Sequence, residues 1–248
     1  MKKLILLLSF FPLFTLTAQH ELIDQANDNY RLEKYEEAVA LYDSVINMGL
    51  TSAEVYYNLG NSLYKTGKIA PCILNYERAL QLAPNDKDIA YNLELVQQHV
   101  VDDIDMVDVF FLTKIVNNIR VSQSSDTWAK VSIGTFALTL FFLLFFFLSR
   151  HSGIKRIGFY FAILAIIVSL TSLKFSVKRK QVHSSKDSAI VFAPTVTVTS
   201  SPIENGTKIF VLHEGTKVQI VDRLDGWAEI MLSDGNKGWM KAETIEEI

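Results

Sequence analysis

The sequence predicts a multidomain protein in which an all-α helical repeat, a transmembrane helical hairpin and a small all-β barrel follow one another along the chain. Three observations support this prediction. The first third of the chain matches itself at an offset of 34 residues. Two uncharged apolar runs occupy the centre, and the tail alternates β-branched residues with short turns. Each pattern has its own period, so each predicts a different kind of element.

Residues 1–18 are predicted to be a signal peptide. Lys2 and Lys3 precede an apolar stretch from Leu4 to Leu16, and the small Ala18 suits cleavage by signal peptidase. An uncleaved anchor is the alternative, because Leu16 is a poor residue so close to the cleavage site. In both cases the chain that follows is exported.

Residues 19–100 are predicted to form repeated helical pairs. The offset of 34 places Ala26 over Gly60 and Tyr42 over Tyr76. This pattern resembles the tetratricopeptide repeat, a helix-turn-helix unit that stacks into a solenoid. The signature positions in the complete unit are Tyr56, Leu59, Gly60, Leu63, Gly67, Cys72, Tyr76, Ala79 and Pro84.

Small residues mark the places where the two helices of one repeat should press together. Gly60 and Cys72 hold these positions in the complete unit, and Pro84 ends its second helix. About two and a half units are near the lower limit for a solenoid, because each unit buries its apolar face only against a neighbour. We therefore expect a cap, supplied by the linker that follows or by a partner protein.

The first helix of each repeat should line an inner groove, which we predict to be the partner-binding site. Its candidate residues are Asn27, Tyr30, Tyr57, Asn58, Asn61, Tyr64 and Tyr91. In peptide-clamping members of the repeat family, asparagines at the places of Asn27 and Asn58 hydrogen-bond an extended ligand, and the resemblance implies this role here. The alternative is that they only face water or neighbouring turns. The basic residues that hold a terminal carboxylate are replaced by Ile23, Asp88 and Asn92.

Residues 101–127 are predicted to form an amphipathic connector. Apolar residues recur there at three- and four-residue steps, at Ile104, Val107, Phe111, Ile115 and Ile119. Such a helix can lie at a membrane surface or dock on the last repeat, and a plain solvated helix is the third alternative.

Residues 128–149 and 157–177 are predicted to cross a lipid bilayer as a hairpin. Within these ranges, the uncharged runs 131–149 and 157–173 are each long enough, as a helix, to span most of a hydrocarbon core of about 30 Å. The first run places apolar groups all round the helix axis, as a lipid-exposed helix does. Residues 150–156 form the predicted cytoplasmic loop. A buried hairpin of a soluble protein is the alternative.

The tail is predicted to contain a linker over residues 178–188 and a β domain over residues 189–248. Short runs of alternating β-branched and aromatic residues are separated by turns rich in Gly, Asn and Asp. The spacing resembles the bacterial SH3-like domain, a small barrel in which a glycine precedes each tryptophan. We expect Trp227 and Trp239 to be packing or rim residues, and a ligand-binding pair is the alternative.

Composition argues against several classes of function. The formal net charge of −3 disfavours nucleic-acid binding. Cys72 is the only cysteine, so no intrachain disulfide can form. The histidines are scattered without metal-ligand spacing, and no nucleophile has a local catalytic signature. We predict a protein that is not an enzyme and uses no metal and no cofactor.

The order of domains resembles that of the BatE proteins of the Bacteroides aerotolerance operon. The resemblance extends to the stretch from Asn85 to Leu95 and to residues 125–129, just before the first span. It implies partners among membrane proteins, namely von Willebrand factor A-type proteins and a MoxR-type ATPase system. It also implies a role in tolerance of oxygen or envelope stress, without a known biochemical activity.

The signal peptide and the even number of spans together predict the topology. Both domains are expected on the periplasmic side of a bacterial inner membrane, in contact with the lipid bilayer. The distribution of basic residues agrees only in part with this topology. Arg150, Lys155 and Arg156 favour a cytoplasmic loop, whereas a second basic cluster, at Lys178, falls on the predicted outside.

Two functions are open at this point. The first is a scaffold that binds protein partners through the repeats and the SH3-like domain. The second is an accessory subunit whose SH3-like domain targets a wall-modifying enzyme to peptidoglycan. A pore is disfavoured, because the apolar runs 131–149 and 157–173 inside the two spans contain no charged residue.

Overall fold

The computed structural model describes residues 20–104, 111–184 and 187–248. The predicted signal peptide therefore lies outside the described residues, as does part of the connector. The chain forms two compact units. The first joins the repeats to the C-terminal β domain, and the second consists of the helices between them.

Five helices form the repeat part of the first unit. They are α1 (residues 20–31), α2 (Tyr35–Asn47), α3 (Ala53–Lys65), α4 (Ile69–Leu82) and α5 (Lys87–Gln97). Side chains cap two of the N-termini. The Ser52 hydroxyl accepts a hydrogen bond from the backbone N–H of Val55, and the Asp86 carboxylate accepts two from the first turn of α5. These caps fix where α3 and α5 begin.

Helices α3 and α4 touch where the sequence places its small residues. A Cβ atom added at Gly60 would lie 2.6 Å from the Tyr76 ring, so only glycine fits between them. Cys72 is fully buried in the same core. Turns between helices use a left-handed backbone, at Gly67 (φ 76°) in the complete repeat and at Glu33 (φ 61°) in the first one.

The C-terminal part is one antiparallel sheet of seven strands in the order β3-β2-β6-β5-β4-β1-β7. The strands are β1 (Ser188–Val191), β2 (Thr195–Thr199), β3 (Lys208–His213), β4 (Lys217–Leu224), β5 (Trp227–Met231), β6 (Lys237–Lys241) and β7 (Ile245–Glu247). A 3₁₀ helix, Ala242–Thr244, precedes β7. The sheet does not close into the predicted barrel, because β3 and β7 are its two edge strands and pair with different neighbours.

Alternating residues of the strands build the core of the sheet. Its fully buried members include Val191, Val198, Ile230 and Met240. Strands β2 and β6 approach closely at Gly238, where an added Cβ atom would lie 2.5 Å from Val198. The glycine before Trp239 is therefore required by strand packing.

The sheet packs directly on the repeats, so the two predicted domains form one unit. Ile190 is fully buried in the core of the repeats, and Phe192 and Ile248 pack against that core. The turn at Gly215 presses on α4 and on Val100, three residues beyond α5, since an added Cβ atom would meet Val100 and Ile73 at 2.8 and 3.1 Å. The β domain therefore covers the repeats as a cap, which the sequence had predicted from the linker or a partner protein.

The second unit contains α6 (Phe111–Val121), α7 (Ser125–Leu148) and α8 (Ser152–Ser184). Helices α7 and α8 are long and apolar enough to cross a membrane, with mean hydropathies of 2.4 and 1.9. Helix α8 continues through most of the predicted linker 178–188, because the basic residues after the apolar run are good helix formers. The loop between α7 and α8 is shorter than the predicted residues 150–156, because α8 already begins at Ser152.

Serines join α7 to α8 at intervals of seven residues. The Ser132 hydroxyl donates to the Ser169 carbonyl at 3.0 Å, and the Ser169 hydroxyl donates back to the Ser132 carbonyl at 2.9 Å. One heptad away, the Ser125 hydroxyl donates to the Ser176 carbonyl at 3.0 Å. Small residues let the two helices approach, and the hydroxyl groups then bond across the contact. The seven-residue spacing is that of a left-handed coiled pair.

Candidate partner-binding groove

The groove contains a polar network centred on Asn27. Tyr42 Oη and Asn58 Nδ2 both donate hydrogen bonds to Asn27 Oδ1, at 2.6 and 3.2 Å. Tyr42 reaches this oxygen from the second helix of its repeat, and Asn58 from the first helix of the next repeat. Because a carbonyl oxygen accepts about two hydrogen bonds, Asn27 Oδ1 is saturated by the protein itself.

The same network recurs 34 residues later. Tyr76 Oη and Asn92 Nδ2 both donate to Asn61 Oδ1, at 2.7 and 3.0 Å. The same Nδ2 atom of Asn92 also donates a hydrogen bond to Tyr57 Oη, at 3.0 Å. Each network ties three helices together, so these asparagines and tyrosines set the stacking of the repeats. The family resemblance implied that Asn27 bonds an extended ligand. In the structure, its Oδ1 atom is already bonded to Tyr42 and Asn58.

Burial keeps the network hydroxyls protonated. It raises the pKa of Tyr42 to about 12, and it also raises the pKa of Tyr76. Both tyrosines therefore remain hydrogen-bond donors at physiological pH. Burial also raises the pKa of Cys72 to about 12, so its sulfur is a thiol and not a nucleophilic thiolate.

Two cavities lie along the groove. The first has a volume of about 350 Å³ and is lined by Asp24, Asn27, Tyr30, Arg31, Tyr42, Asn58 and Asn61. The second has a volume of about 190 Å³ and is lined by Tyr30, Asn61, Tyr64, Lys65, Tyr76, Asn92 and Leu95. Amide and hydroxyl groups line both cavities, with charges of both signs at their edges. This surface suits the backbone and polar side chains of an extended peptide.

Five of the seven predicted groove residues line these cavities. They are Asn27, Tyr30, Asn58, Asn61 and Tyr64. Tyr57 lies beside the second network, bonded to Asn92, and Tyr91 is 66% exposed and lines neither cavity.

Sequence reasoning missed several groove residues. It did not assign Asp24, Arg31, Tyr42, Lys65, Tyr76, Asn92 and Leu95 to the site. The period could have found some of them. Asn92 follows the predicted Asn58 by one repeat, and Tyr76 follows Tyr42 by the same distance.

Trp227 and Trp239 lie on the face of the sheet opposite its core. Both are half-buried, whereas Ala228, Ile230 and Met240 between and beside them are buried. In the register of β5 and β6, Trp239 stands opposite Glu229. The two indoles thus lie on an outer, partly polar surface.

A second polar cluster fastens the sheet to the end of the repeats. Asp102 accepts hydrogen bonds from the backbone N–H of His213 at 2.7 Å and from the Thr216 hydroxyl at 2.6 Å, and His213 Nδ1 lies 2.7 Å from its other oxygen. The buried Glu77 receives Lys217 Nζ at 2.7 Å. Partners so distant in sequence give no local signal, which is why the sequence did not reveal them.

Burial and hydrogen bonding act in opposite directions on Asp102. Burial disfavours its charged form, but the hydrogen bonds from Thr216 and His213 outweigh this effect, and the pKa of Asp102 lies below its ordinary value. A cavity of about 540 Å³ adjoins this cluster. Its most polar side chains are already engaged in joining the two parts of the unit, so we assign no ligand to it.

Comparison with protein families agrees with the geometry of the repeats. The model of the tetratricopeptide repeat matches residues 53–86, and a second model, described as TPR repeat, matches residues 26–67. The chain thus contains tetratricopeptide repeats, which are protein-interaction modules and typically non-catalytic. No curated protein matches the chain. Within the described ranges, no group of three or more His, Cys, Asp or Glu side chains is placed to hold a metal ion.

Proposed function

We propose that the protein is a non-enzymatic membrane scaffold that binds a protein partner through the groove of its repeats. The observation that supports this most is the cavity of about 350 Å³ between Asn27 and Asn58, which lies within the matched repeats. The saturated asparagine networks hold the helices in place, while the edge charges of Asp24, Arg31 and Lys65 select the ligand. A rigid groove binds with less loss of conformational entropy than one that must form on binding.

The proposed anchor is the hairpin of α7 and α8. The segments on either side of it, up to residue 104 and from residue 187, belong to one compact unit. A chain that builds one unit from both flanks needs an even number of membrane crossings between them, which two spans provide. We place this unit on the periplasmic side of a bacterial inner membrane, because a signal peptide is predicted over residues 1–18.

The partners we propose follow from the family resemblance. Von Willebrand factor A-type membrane proteins and a MoxR-type ATPase system are the expected complex, in tolerance of oxygen or envelope stress. The sheet would then act as an SH3-like second binding surface. Its fusion to the repeats keeps the two binding surfaces in one unit.

A second candidate function is an accessory role in which the sheet binds peptidoglycan and brings a wall-modifying enzyme to it. The half-buried Trp227 and Trp239 on the outer face favour this role, because partly exposed aromatic rings are common in ligand sites. Loss of peptidoglycan pull-down in a Trp239→Ala chain, with the groove intact, would support it over partner binding by the repeats.

The groove is tested with charge reversals that leave the asparagine networks intact. Asp24 and Lys65 are exposed, line the two cavities and have no ion-pair partner among the described residues. The variant is Asp24→Lys with Lys65→Glu in the full chain, tagged in the loop between α7 and α8 and crosslinked in native membranes. We expect recovery of the main partner to fall by at least tenfold, since misplaced like charges weaken an interface and tenfold corresponds to about 1.4 kcal/mol.

The control reverses charges outside the groove. Lys87→Glu with Glu94→Lys changes two exposed residues of α5 that line neither cavity. Partner recovery should remain that of the natural chain. Equal recovery by the groove variant and the control would remove the groove from the proposed function. The tag avoids the C-terminus because Ile248 packs on the repeats.

A further inference from the structure

The charge of the second unit differs from that of the rest of the chain. Residues 111–184 contain ten Lys and Arg residues and a single acid, Asp126, although the whole chain carries a net charge of −3. Such an excess of positive charge among the described residues 111–184 attracts anions.

Most of these cations lie at the open end of the hairpin, where α7 begins and α8 ends. The Ser125–Ser176 pair sets the antiparallel register and brings the basic end of α8 level with the residues just before α7. The cations of described placement at this end are Arg120, Lys130, Lys174, Lys178, Arg179 and Lys180. None forms an ion pair with a described residue.

Arg120 and Arg179 form the centre of this cluster. Arg120 belongs to α6, which contacts α8, and Arg179 follows Phe175 by one helical turn on the side of α8 that packs against Trp128. Arg120 Nε is enclosed by protein atoms and has no hydrogen-bond partner. Arg120 as a whole is half-buried, and a guanidinium group with unused donors is suited to bind a phosphate.

An aromatic anchor holds Arg120 at the start of α7. Trp128 Nε1 donates to the Arg120 carbonyl at 3.0 Å, and the Trp128 ring packs edge-on against Phe175, with centroids 5.1 Å apart. Tryptophan next to basic residues at the end of an apolar helix is typical of the headgroup level of a bilayer. The arginine pair is therefore at the depth of lipid phosphates if the hairpin spans the membrane.

Helix α6 supplies an apolar face at the same end. Its exposed residues are Phe111, Leu112, Ile115, Val116 and Ile119. A short helix with an exposed apolar face and a basic C-terminal end is the pattern of a helix lying in the membrane interface. The apolar surface of α7 begins after Trp128 and continues the apolar face of α6 into the lipid.

We propose that Arg120 and Arg179 bind the phosphate of an anionic phospholipid, with the apolar face of α6 lying among the neighbouring acyl chains. This inference rests on the proposed membrane hairpin and adds a lipid site to it. The terminal amino groups of the two guanidiniums donate to the oxygens of one phosphodiester. The lysines of α8 attract further anionic headgroups around this one.

The experiment measures which lipid lies next to Trp128. The full chain is reconstituted in phosphatidylcholine vesicles with a minor fraction of phosphatidylglycerol, and bromine is placed on the acyl chains of one lipid or the other. Quenching by each lipid at equal mole fraction gives its local enrichment. The signal lost in a Trp128→Phe chain identifies the contribution of Trp128 among the three tryptophans. We expect phosphatidylglycerol to be enriched about fivefold.

The variant Arg120→Gln with Arg179→Gln should lower this enrichment to near unity. The matched control, Arg150→Gln with Arg156→Gln, removes two arginines from the other end of the hairpin and should leave it unchanged. Equal loss in both variants, or no preference for phosphatidylglycerol in the natural chain, would overturn the lipid site. Loss of the preference on adding inorganic phosphate would assign the pair to free phosphate instead. Absence of quenching by both lipids would refute the membrane hairpin itself.

Discussion

At the residue scale, Glu33 and Gly67 show how one repeat departs from its neighbour. They occupy the same turn, one repeat apart, and both have a left-handed backbone with φ values of 61° and 76°. Glycine adopts this conformation without steric cost, whereas a residue with a Cβ atom is strained in it. The first repeat therefore retains the geometry of the turn without its usual residue.

We predict that Glu33→Gly stabilises the first unit by about 1 kcal/mol, because it removes this strain. The measurement is urea unfolding of the full chain in detergent, followed by circular dichroism. Gly67→Ala is the matched control and should destabilise by a similar amount, although a Cβ atom there meets no neighbour. A Glu33→Gly chain no more stable than the natural one would show that the turn is not strained.

The asparagine networks should contribute to the free energy of unfolding of the repeats. Tyr76 is 2% exposed and donates its hydroxyl to Asn61 Oδ1. Asn61→Ala should therefore destabilise the repeats by about 1–3 kcal/mol, because it leaves a buried donor unpaired. Adding Tyr76→Phe should recover part of this loss. Strictly additive effects of the two changes in the unfolding free energy would mean that the bond contributes nothing.

At the element scale, the contact between α7 and α8 depends on small residues. Ser132 and Ser169 are buried between the helices, whereas Thr171 faces outwards. Ser169, which makes the second apolar run less hydrophobic in sequence, thus joins the two helices. The polarity of the two serines is hidden at the helix contact and satisfied by backbone carbonyls.

We predict that Ser169→Leu separates the helices, because its larger side chain cannot fit where the backbones approach. The readout is disulfide formation between cysteines introduced at Ser125 and Ser176, whose hydroxyl oxygens are 3.2 Å apart, in a Cys72→Ala chain. Crosslinking should be nearly complete in the parent and strongly reduced by Ser169→Leu. Thr171→Leu adds similar bulk on the exposed face and should have no effect. Unchanged crosslinking in the Ser169→Leu chain would contradict the serine contact.

At the scale of the whole molecule, the junction between repeats and sheet should depend on pH. The pKa of Asp102 is lower in the folded chain than its ordinary value of about 3.9. Its contribution to stability is therefore complete above that ordinary value and is lost as the pH falls through the lowered folded value. We predict that Asp102→Asn flattens the acid end of the stability profile. The measurement is the urea midpoint at a series of pH values, and parallel profiles for the two chains would exclude Asp102 as the source.

The topology gives a second prediction at this scale. Single cysteines at Ser152 and Ser233, in a Cys72→Ala chain, are treated with a membrane-impermeant thiol reagent in spheroplasts. We expect labelling at Ser233 and not at Ser152, because the sheet is proposed on the periplasmic side and the hairpin loop on the other. Both positions are exposed, and both should react after detergent is added. Labelling of Ser152 alone in intact spheroplasts would reverse the proposed orientation.

The periodic parts of the architecture could be read from the sequence alone. The 34-residue period predicted the helical pairs and the close contact at Gly60, and the family models match the same residues. The two apolar runs predicted two long helices, and alternating residues predicted an antiparallel β domain. These features depend on spacing along the chain, which the sequence shows directly.

The tertiary structure decided how these parts combine. The strand order of the open sheet, the burial of Ile190 among the repeats and the bonds of Asp102 to His213 and Thr216 depend on residues that are far apart in sequence. Such contacts are set by complementary surfaces and not by a period, so no local pattern predicts them. The period placed Asn27, Asn58 and Asn61 in the predicted groove, while only the structure added Asn92 and showed that Asn27 Oδ1 is already bonded to Tyr42 and Asn58.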